Sequence, residues 1–72
     1  MRIGVLGCGV IAYWAHLRVL RRMPGVTLAA AADPDPAARA LARRLTGVPV
    51  HERAEDLLRR SDIDAVVICA PT

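Results

Sequence analysis

The feature that most constrains the fold of this chain is a pair of glycines that directly follows a short apolar run near the N-terminus. Residues 2–6 read Arg-Ile-Gly-Val-Leu, and Gly7 and Gly9 come next. From residue 10 to about residue 23, apolar side chains recur at helical spacing. A short apolar run that ends in glycines is typical of a buried parallel strand. The sequence therefore predicts a strand, a tight glycine turn and a helix in succession.

The rest of the chain continues this alternation. Apolar runs predict strands at residues 26–32, 48–50 and 64–70, and helical spacing predicts helices at residues 36–46 and 55–60. Asp35 and Pro36 fit the N-cap and first position of the second helix, and Gly47 fits its C-terminal stop. The alanines at 29–32 favour a helix by propensity. We nevertheless predict a strand, because the segment is short, begins with a β-branched pair and ends at Asp33-Pro34.

Alternating strands and helices favour an α/β fold, a parallel β-sheet built from βαβ units. Right-handed crossovers, together with the strand order of dinucleotide-binding folds, place the strands in the order 3-2-1-4, which is the first half of a Rossmann fold. The chain has 72 residues, whereas domains commonly run to about 100–150 residues. We therefore expect residues 1–72 to be the N-terminal portion of a dinucleotide-binding domain, with the substrate domain absent.

The glycine turn fits a phosphate-binding pattern. Gly7, Gly9 and Ala12 match Gly-x-Gly-x-x-Gly/Ala. Gly7 would allow the tight turn, Gly9 would let a pyrophosphate approach the backbone, and Ala12 would let the helix lie close to the strand. The helix N-terminus would offer unpaired N–H groups to the phosphates. Because this pattern is a weak signal on its own, it needs a carboxylate further along the chain as support.

Asp33 supplies that carboxylate at the end of the second predicted strand, 24 residues after Gly9, where roughly 20 are expected. It would accept hydrogen bonds from the ribose hydroxyls and repel a 2′-phosphate, which favours NAD over NADP. In the alternative interpretation, the glycines form only a turn and Asp33 caps the following helix. The order of strand, glycines, helix, strand and carboxylate favours cofactor binding. Arg39 could override this selectivity, but we expect it to face solvent.

A family resemblance is carried by three segments: GCGVIAYWAHLRVL, AAADPDPAARALARRL and AEDLLRRSDIDAVVICAPT. The chain resembles the N-terminal part of the Gfo/Idh/MocA oxidoreductases over essentially its whole length. The resemblance implies a nicotinamide cofactor across the strand ends and a sugar, cyclitol or related polyol as substrate. It implies an NAD(P)-dependent parent enzyme that acts on CH–OH groups. The cofactor contacts that it implies are Gly7, Gly9, Val10, Ile11, Asp33, Ala70, Pro71 and Thr72.

The catalytic residues of that family do not carry over to this chain. The family uses a Lys in a Glu-Lys-Pro motif after the next strand, which would lie beyond Thr72, and the chain contains no Lys. We therefore expect the 72 residues not to be catalytic by themselves. Two histidines far apart, with no cysteine at ligand spacing, give no metal signal. The alternative function is a stand-alone, non-catalytic nucleotide-binding or assembly module.

The composition limits the kinds of partner and the cellular setting that we expect for this chain. The formal net charge is +3, all basic residues are Arg, and seven acidic residues are interspersed, so without a recognition motif we expect no nucleic-acid partner. No apolar run is long enough to span a membrane, and two cysteines fit a reducing, cytoplasmic setting. The apolar strand at 65–70 would be a sheet edge. We expect it to pair with a second copy or with the remainder of a longer chain.

Overall fold

The computed structural model describes residues 1–7 and 24–68. Within these ranges the elements follow in the order β1 (Arg2–Leu6), β2 (Thr27–Ala32), α1 (Pro36–Thr46), β3 (Val50–His51), α2 (Ala54–Leu58) and β4 (Ala65–Ile68). The helix predicted between β1 and β2, at residues 10–23, lies outside the described residues. Neither α1 nor α2 has the length and apolar character needed to cross a membrane.

The strands form a single parallel sheet in the order β3-β2-β1-β4. This confirms the predicted order 3-2-1-4 and the α/β class. Leu6 at the end of β1 pairs with Ala32 of β2 and with Ile68 of β4, and Ala32 in turn pairs with His51 of β3. The strands therefore end level with one another, at one edge of the sheet.

Both faces of the sheet are covered by a helix. On one face, Ile3 and Val5 pack with Ala38 and Ala42 of α1. On the other face, Leu57 of α2 is fully buried with alanines of β2. Side chains alternate between the two faces of a strand, so β1 and β2 contribute to both clusters. This arrangement explains why strands of a doubly covered sheet read as continuous apolar runs.

The alanine-rich segment is a strand, as predicted, although alanine favours helices. Ala29 to Ala32 are at most 4% exposed, and the pairing with β1 shifts by one residue between Ile3 and Gly4, as a β-bulge does. A strand with neighbours on both sides and helices on both faces has little room for large side chains. Tertiary burial therefore outweighs the intrinsic helix preference of alanine here.

The ends of α1 agree with the sequence prediction. The Asp35 side chain accepts a hydrogen bond from the backbone N of Ala37 at 3.1 Å, and Pro36 begins the helix. Gly47 ends it with a positive φ of 72°, and its N–H donates to the carbonyl of Arg43 at 2.8 Å. The cap residues thus satisfy backbone groups that a helix terminus leaves unpaired.

Several predicted boundaries were wrong. The strands predicted to begin at residues 26 and 64 begin at Thr27 and Ala65, and two elements differ at both ends. The strand predicted at residues 48–50 is Val50–His51: the Pro49 carbonyl accepts from the Ala31 N–H at 3.0 Å, but proline has no N–H to continue a ladder. His51, interpreted as a loop residue, is therefore the second residue of β3. The helix predicted at 55–60 is Ala54–Leu58. Beyond it, the guanidinium of Arg60 is paired with the carboxylate of Asp62.

Candidate functional site

The candidate site lies where β1 and β2 end side by side. Gly7 directly follows β1, and its N–H donates to the carbonyl of Ala32 at 2.9 Å. Its φ of 83° lies in the left-handed region that glycine adopts without strain. The backbone of β1 therefore turns at Gly7 while still bonded to the last residue of β2. This bond brings Gly7 next to Asp33, the first residue beyond β2.

Asp33 is the buried carboxylate of this edge, with 7% of its surface exposed. Its N–H donates to the carbonyl of His51 at 2.9 Å, which fixes its backbone to β3. Its Oδ1 accepts from the N–H of Asp35 at 2.8 Å, as in an Asx turn. A buried carboxylate requires hydrogen-bond donors, and the turn supplies one. Asp33 therefore shapes the entrance to α1, the part of the alternative interpretation that the structure supports, while it stands beside the glycine turn.

The side chain of Arg39 lies closer to the turn after β2 than the sequence suggested. We expected it to face solvent, but its Nη1 donates to the carbonyls of Asp33 and Pro34, each at 2.9 Å. Helical side chains lean toward the helix N-terminus, so an arginine four residues after the N-cap reaches back over the turn. One sequence signal could have revealed this contact: a cation near a helix N-terminus is unfavourably placed in the helix dipole.

The structure brings together two of the predicted cofactor contacts, Gly7 and Asp33. The others lie outside the described residues: Gly9, Val10, Ile11, Ala70, Pro71 and Thr72. In open α/β sheets, ligands bind in the crevice beyond the carboxyl ends of the strands. A glycine turn after the first strand and a carboxylate after the second can serve a phosphate and a sugar hydroxyl pair, respectively.

A second polar cluster joins the segment that follows α2 to the start of β1. Arg60 donates to both carboxylate oxygens of Asp62, at 2.8 and 2.7 Å, and Arg2 Nε donates to the Asp62 carbonyl at 2.8 Å. The hydrogen bond from Arg60 lowers the pKa of Asp62 from 3.8 to about 2, with the charge of Arg60 as a further cause. Arg2 begins β1, whereas Gly7 follows its end. This cluster therefore stabilises the connection that leads from α2 into β4, at the opposite end of β1 from the candidate site.

Comparison with known proteins agrees with this geometry. Residues 1–72 match the model of the GFO_IDH_MocA oxidoreductase family, described as having an NAD-binding Rossmann fold. The chain belongs to the Gfo/Idh/MocA family. Its parallel sheet of order β3-β2-β1-β4 is the Rossmann-like arrangement of the family. The chain is thus the dinucleotide-binding Rossmann portion of a Gfo/Idh/MocA protein.

Individual relatives agree with the family assignment. Inositol 2-dehydrogenase 4 of Saccharopolyspora erythraea is 33% identical over 99% of the chain, which spans 21% of that dehydrogenase. A variant of KijD10, a 3-ketoreductase from Actinomadura kijaniata in complex with TDP-benzene and NADP, is similar with a TM-score of 0.87 and 31% identity, over 99% of this chain and 23% of that one. Scyllo-inositol dehydrogenase from Lactobacillus casei, with NAD(H) and scyllo-inositol, has a TM-score of 0.83 and 30% identity, over 99% and 21% of the chains.

Proposed function

We propose that this Gfo/Idh/MocA chain binds NAD(H) at the carboxyl edge of its sheet, as part of the cofactor-binding domain of an oxidoreductase that acts on a sugar, cyclitol or related polyol. The observation that carries the proposal is the placement of Gly7 beside Asp33. The Gly7 N–H donates a hydrogen bond of 2.9 Å to the carbonyl of Ala32, the residue before Asp33. The pyrophosphate would lie over the glycine turn, and the ribose would lie against the carboxylate.

Asp33 is the residue that would select NAD over NADP. A carboxylate accepts hydrogen bonds from both ribose hydroxyls, whereas a 2′-phosphate removes one hydroxyl and brings a like charge close to the carboxylate. Relatives of this chain were solved with NADP and with NAD(H), so both cofactors occur among similar folds. The proposed preference rests on the position of Asp33 at the end of β2.

The remaining predicted contacts complete the proposed site. Gly9 would let the pyrophosphate approach, and the backbone of Val10 and Ile11 would lie at the phosphates. The segment after β4 would reach the ribose and nicotinamide side; its residues are Ala70, Pro71 and Thr72. Relatives named as inositol and scyllo-inositol dehydrogenases support a cyclitol or related polyol as the substrate.

Hydride transfer to such a substrate would need groups that this chain does not supply, because it has no Lys. We therefore propose that residues 1–72 are the N-terminal, non-catalytic portion of the dinucleotide-binding domain. We further propose a cytoplasmic location, on the cysteine content alone. The edge at β4 would pair with a second copy or with further chain, as unpaired strand edges do.

The test is a calorimetric comparison of NAD and NADP binding by the full-length protein and two variants. Asp33→Ser removes the carboxylate at the ribose position, whereas Asp35→Ser removes a carboxylate two residues away and keeps a good N-cap. We expect the wild type to bind NAD more tightly, Asp33→Ser to narrow the preference about tenfold, and Asp35→Ser to retain it. An unchanged ratio in Asp33→Ser would place the selectivity elsewhere.

A further inference from the structure

The turn between β2 and α1 has few backbone N–H groups that could form hydrogen bonds to stabilise its conformation. Its sequence is Asp33-Pro34-Asp35-Pro36, and prolines carry no N–H. The two remaining N–H groups are both used: Asp33 donates to the His51 carbonyl, and Asp35 donates to the Asp33 carboxylate. The second of these bonds orients the carboxylate itself. The position of the Asp33 carboxylate is therefore coupled to the conformation of the turn.

Two carbonyls of the turn accept hydrogen bonds from the Arg39 side chain. The Nη1 atom of Arg39 carries two hydrogens, and it donates to the carbonyls of Asp33 and Pro34, each at 2.9 Å. These two bonds fix two successive peptide planes relative to α1. A charged donor forms stronger hydrogen bonds than a neutral one. Arg39 thus restrains the segment that carries the amide of Asp35.

The location of Arg39 on α1 fits this task better than a role in helix stability. The helix begins at Pro36 and its N-cap is Asp35, so Arg39 lies near the positive end of the helix dipole, where a cation is unfavourable. The matched Arg43, one turn later, donates through Nη2 to the Val50 carbonyl at 2.8 Å. That contact ties α1 to β3, whereas the contact of Arg39 ties α1 to the turn.

We propose that Arg39 is a positioning residue for cofactor selectivity: by holding the carbonyls of Asp33 and Pro34, it keeps the Asp33 carboxylate aimed at the ribose hydroxyls. This inference rests on the proposed function, because it concerns the same site. A freely moving carboxylate would still repel a 2′-phosphate, but it would lose the fixed geometry that two ribose hydrogen bonds require. Loss of the restraint therefore weakens NAD binding more than NADP binding.

The test uses Arg39→Lys and the matched Arg43→Lys in the full-length protein. Lysine keeps the charge, so the electrostatic attraction for a phosphate is retained, but its ammonium on a flexible stem does not reproduce the rigid fork of arginine. Hydrogen exchange of the Asp35 amide without cofactor reports the hold on the turn. Titration with NAD and with NADP reports selectivity.

For Arg39→Lys, we expect faster exchange at Asp35 and a NAD-over-NADP preference reduced by about fivefold to tenfold. For Arg43→Lys, both quantities should stay within about twofold of wild type. Unchanged exchange at Asp35 overturns the inference. Faster exchange with an unchanged preference, in a protein that binds NAD, overturns the inference and leaves the proposed function standing. A wild type that binds neither dinucleotide overturns both.

Discussion

Gly4→Ala should destabilise the sheet, because Gly4 lies under the side chain of Leu57. Gly4 belongs to β1, and a Cβ atom at this position would lie 3.0 Å from Leu57 Cδ1 and 3.3 Å from Cδ2. Carbon atoms in good contact are about 3.5–4.0 Å apart. Leu57 would have to retreat, yet it is fully buried against Ala30 and Ala32. The absence of a side chain at Gly4 is thus what lets α2 pack closely on β1.

The size of the effect follows from these contacts. Overpacking of a close-packed core costs about 1–3 kcal/mol. Replacing a glycine that has strand backbone by alanine returns about 0.4–1 kcal/mol through the unfolded state. We therefore expect a net loss of about 1–2 kcal/mol for Gly4→Ala. Leu57→Ala, which empties a fully buried position, should cost about 2–5 kcal/mol.

The double variant separates a steric contact from general weakening. With Leu57 truncated, the methyl group of Gly4→Ala enters the vacated space and buries about one methylene, about 0.8 kcal/mol. Gly4→Ala should therefore become neutral or stabilising in the Leu57→Ala background. The coupling free energy between the two sites should be about 2 kcal/mol, within the range seen for residues in contact.

Native-state hydrogen exchange of the β1 and β2 amides in the full-length protein is the suitable assay, because it reports the opening of this sheet locally. The control is Ile3→Val combined with Leu57→Ala. Ile3 packs on the opposite face of the sheet, so its effect should add to that of Leu57→Ala within about 0.5 kcal/mol. If Gly4→Ala and Leu57→Ala also add, the proposed steric contact between Gly4 and Leu57 is wrong.

Three further predictions concern the ends of α1 and the Asp62 cluster. Gly47→Ala should lower the free energy of unfolding in urea by about 1 kcal/mol, because the φ of 72° at this position is strained for alanine. Equal stability of the variant and the wild type would contradict this reasoning. Asp35→Ala should cost about 1 kcal/mol through loss of the N-cap, whereas Asp35→Ser should restore most of it. The folded-state pKa of Asp62 lies below its ordinary value of 3.8, at about 2, so its stabilising contribution is full above pH 4 and is lost as the pH falls toward 2. Asp62→Asn should flatten the dependence of the melting temperature on pH in that range, and an unaltered acid profile would refute the role of Asp62.

The sequence alone was sufficient for the features that depend on near neighbours along the chain. The caps of α1 at Asp35 and Gly47 are local, because a cap bonds backbone groups within a few residues. The strand order was also predictable, because right-handed crossovers restrict the topology and the order of dinucleotide-binding folds was adopted for the alternating strands and helices. The same applies to Gly7 and Asp33, since parallel strands place their carboxyl ends at one edge of the sheet.

Tertiary structure decided the features that depend on how side chains meet across elements. The sequence marks Arg39 as helical, but the turn and helix together aim its guanidinium at the carbonyls of Asp33 and Pro34. In the sequence, Gly4 is one more residue of an apolar strand. Only the position of α2 on the sheet brings the Leu57 side chain into contact with it. Backbone periodicity reflects contacts within an element, whereas these contacts depend on sheet register and helix placement, which many residues set jointly.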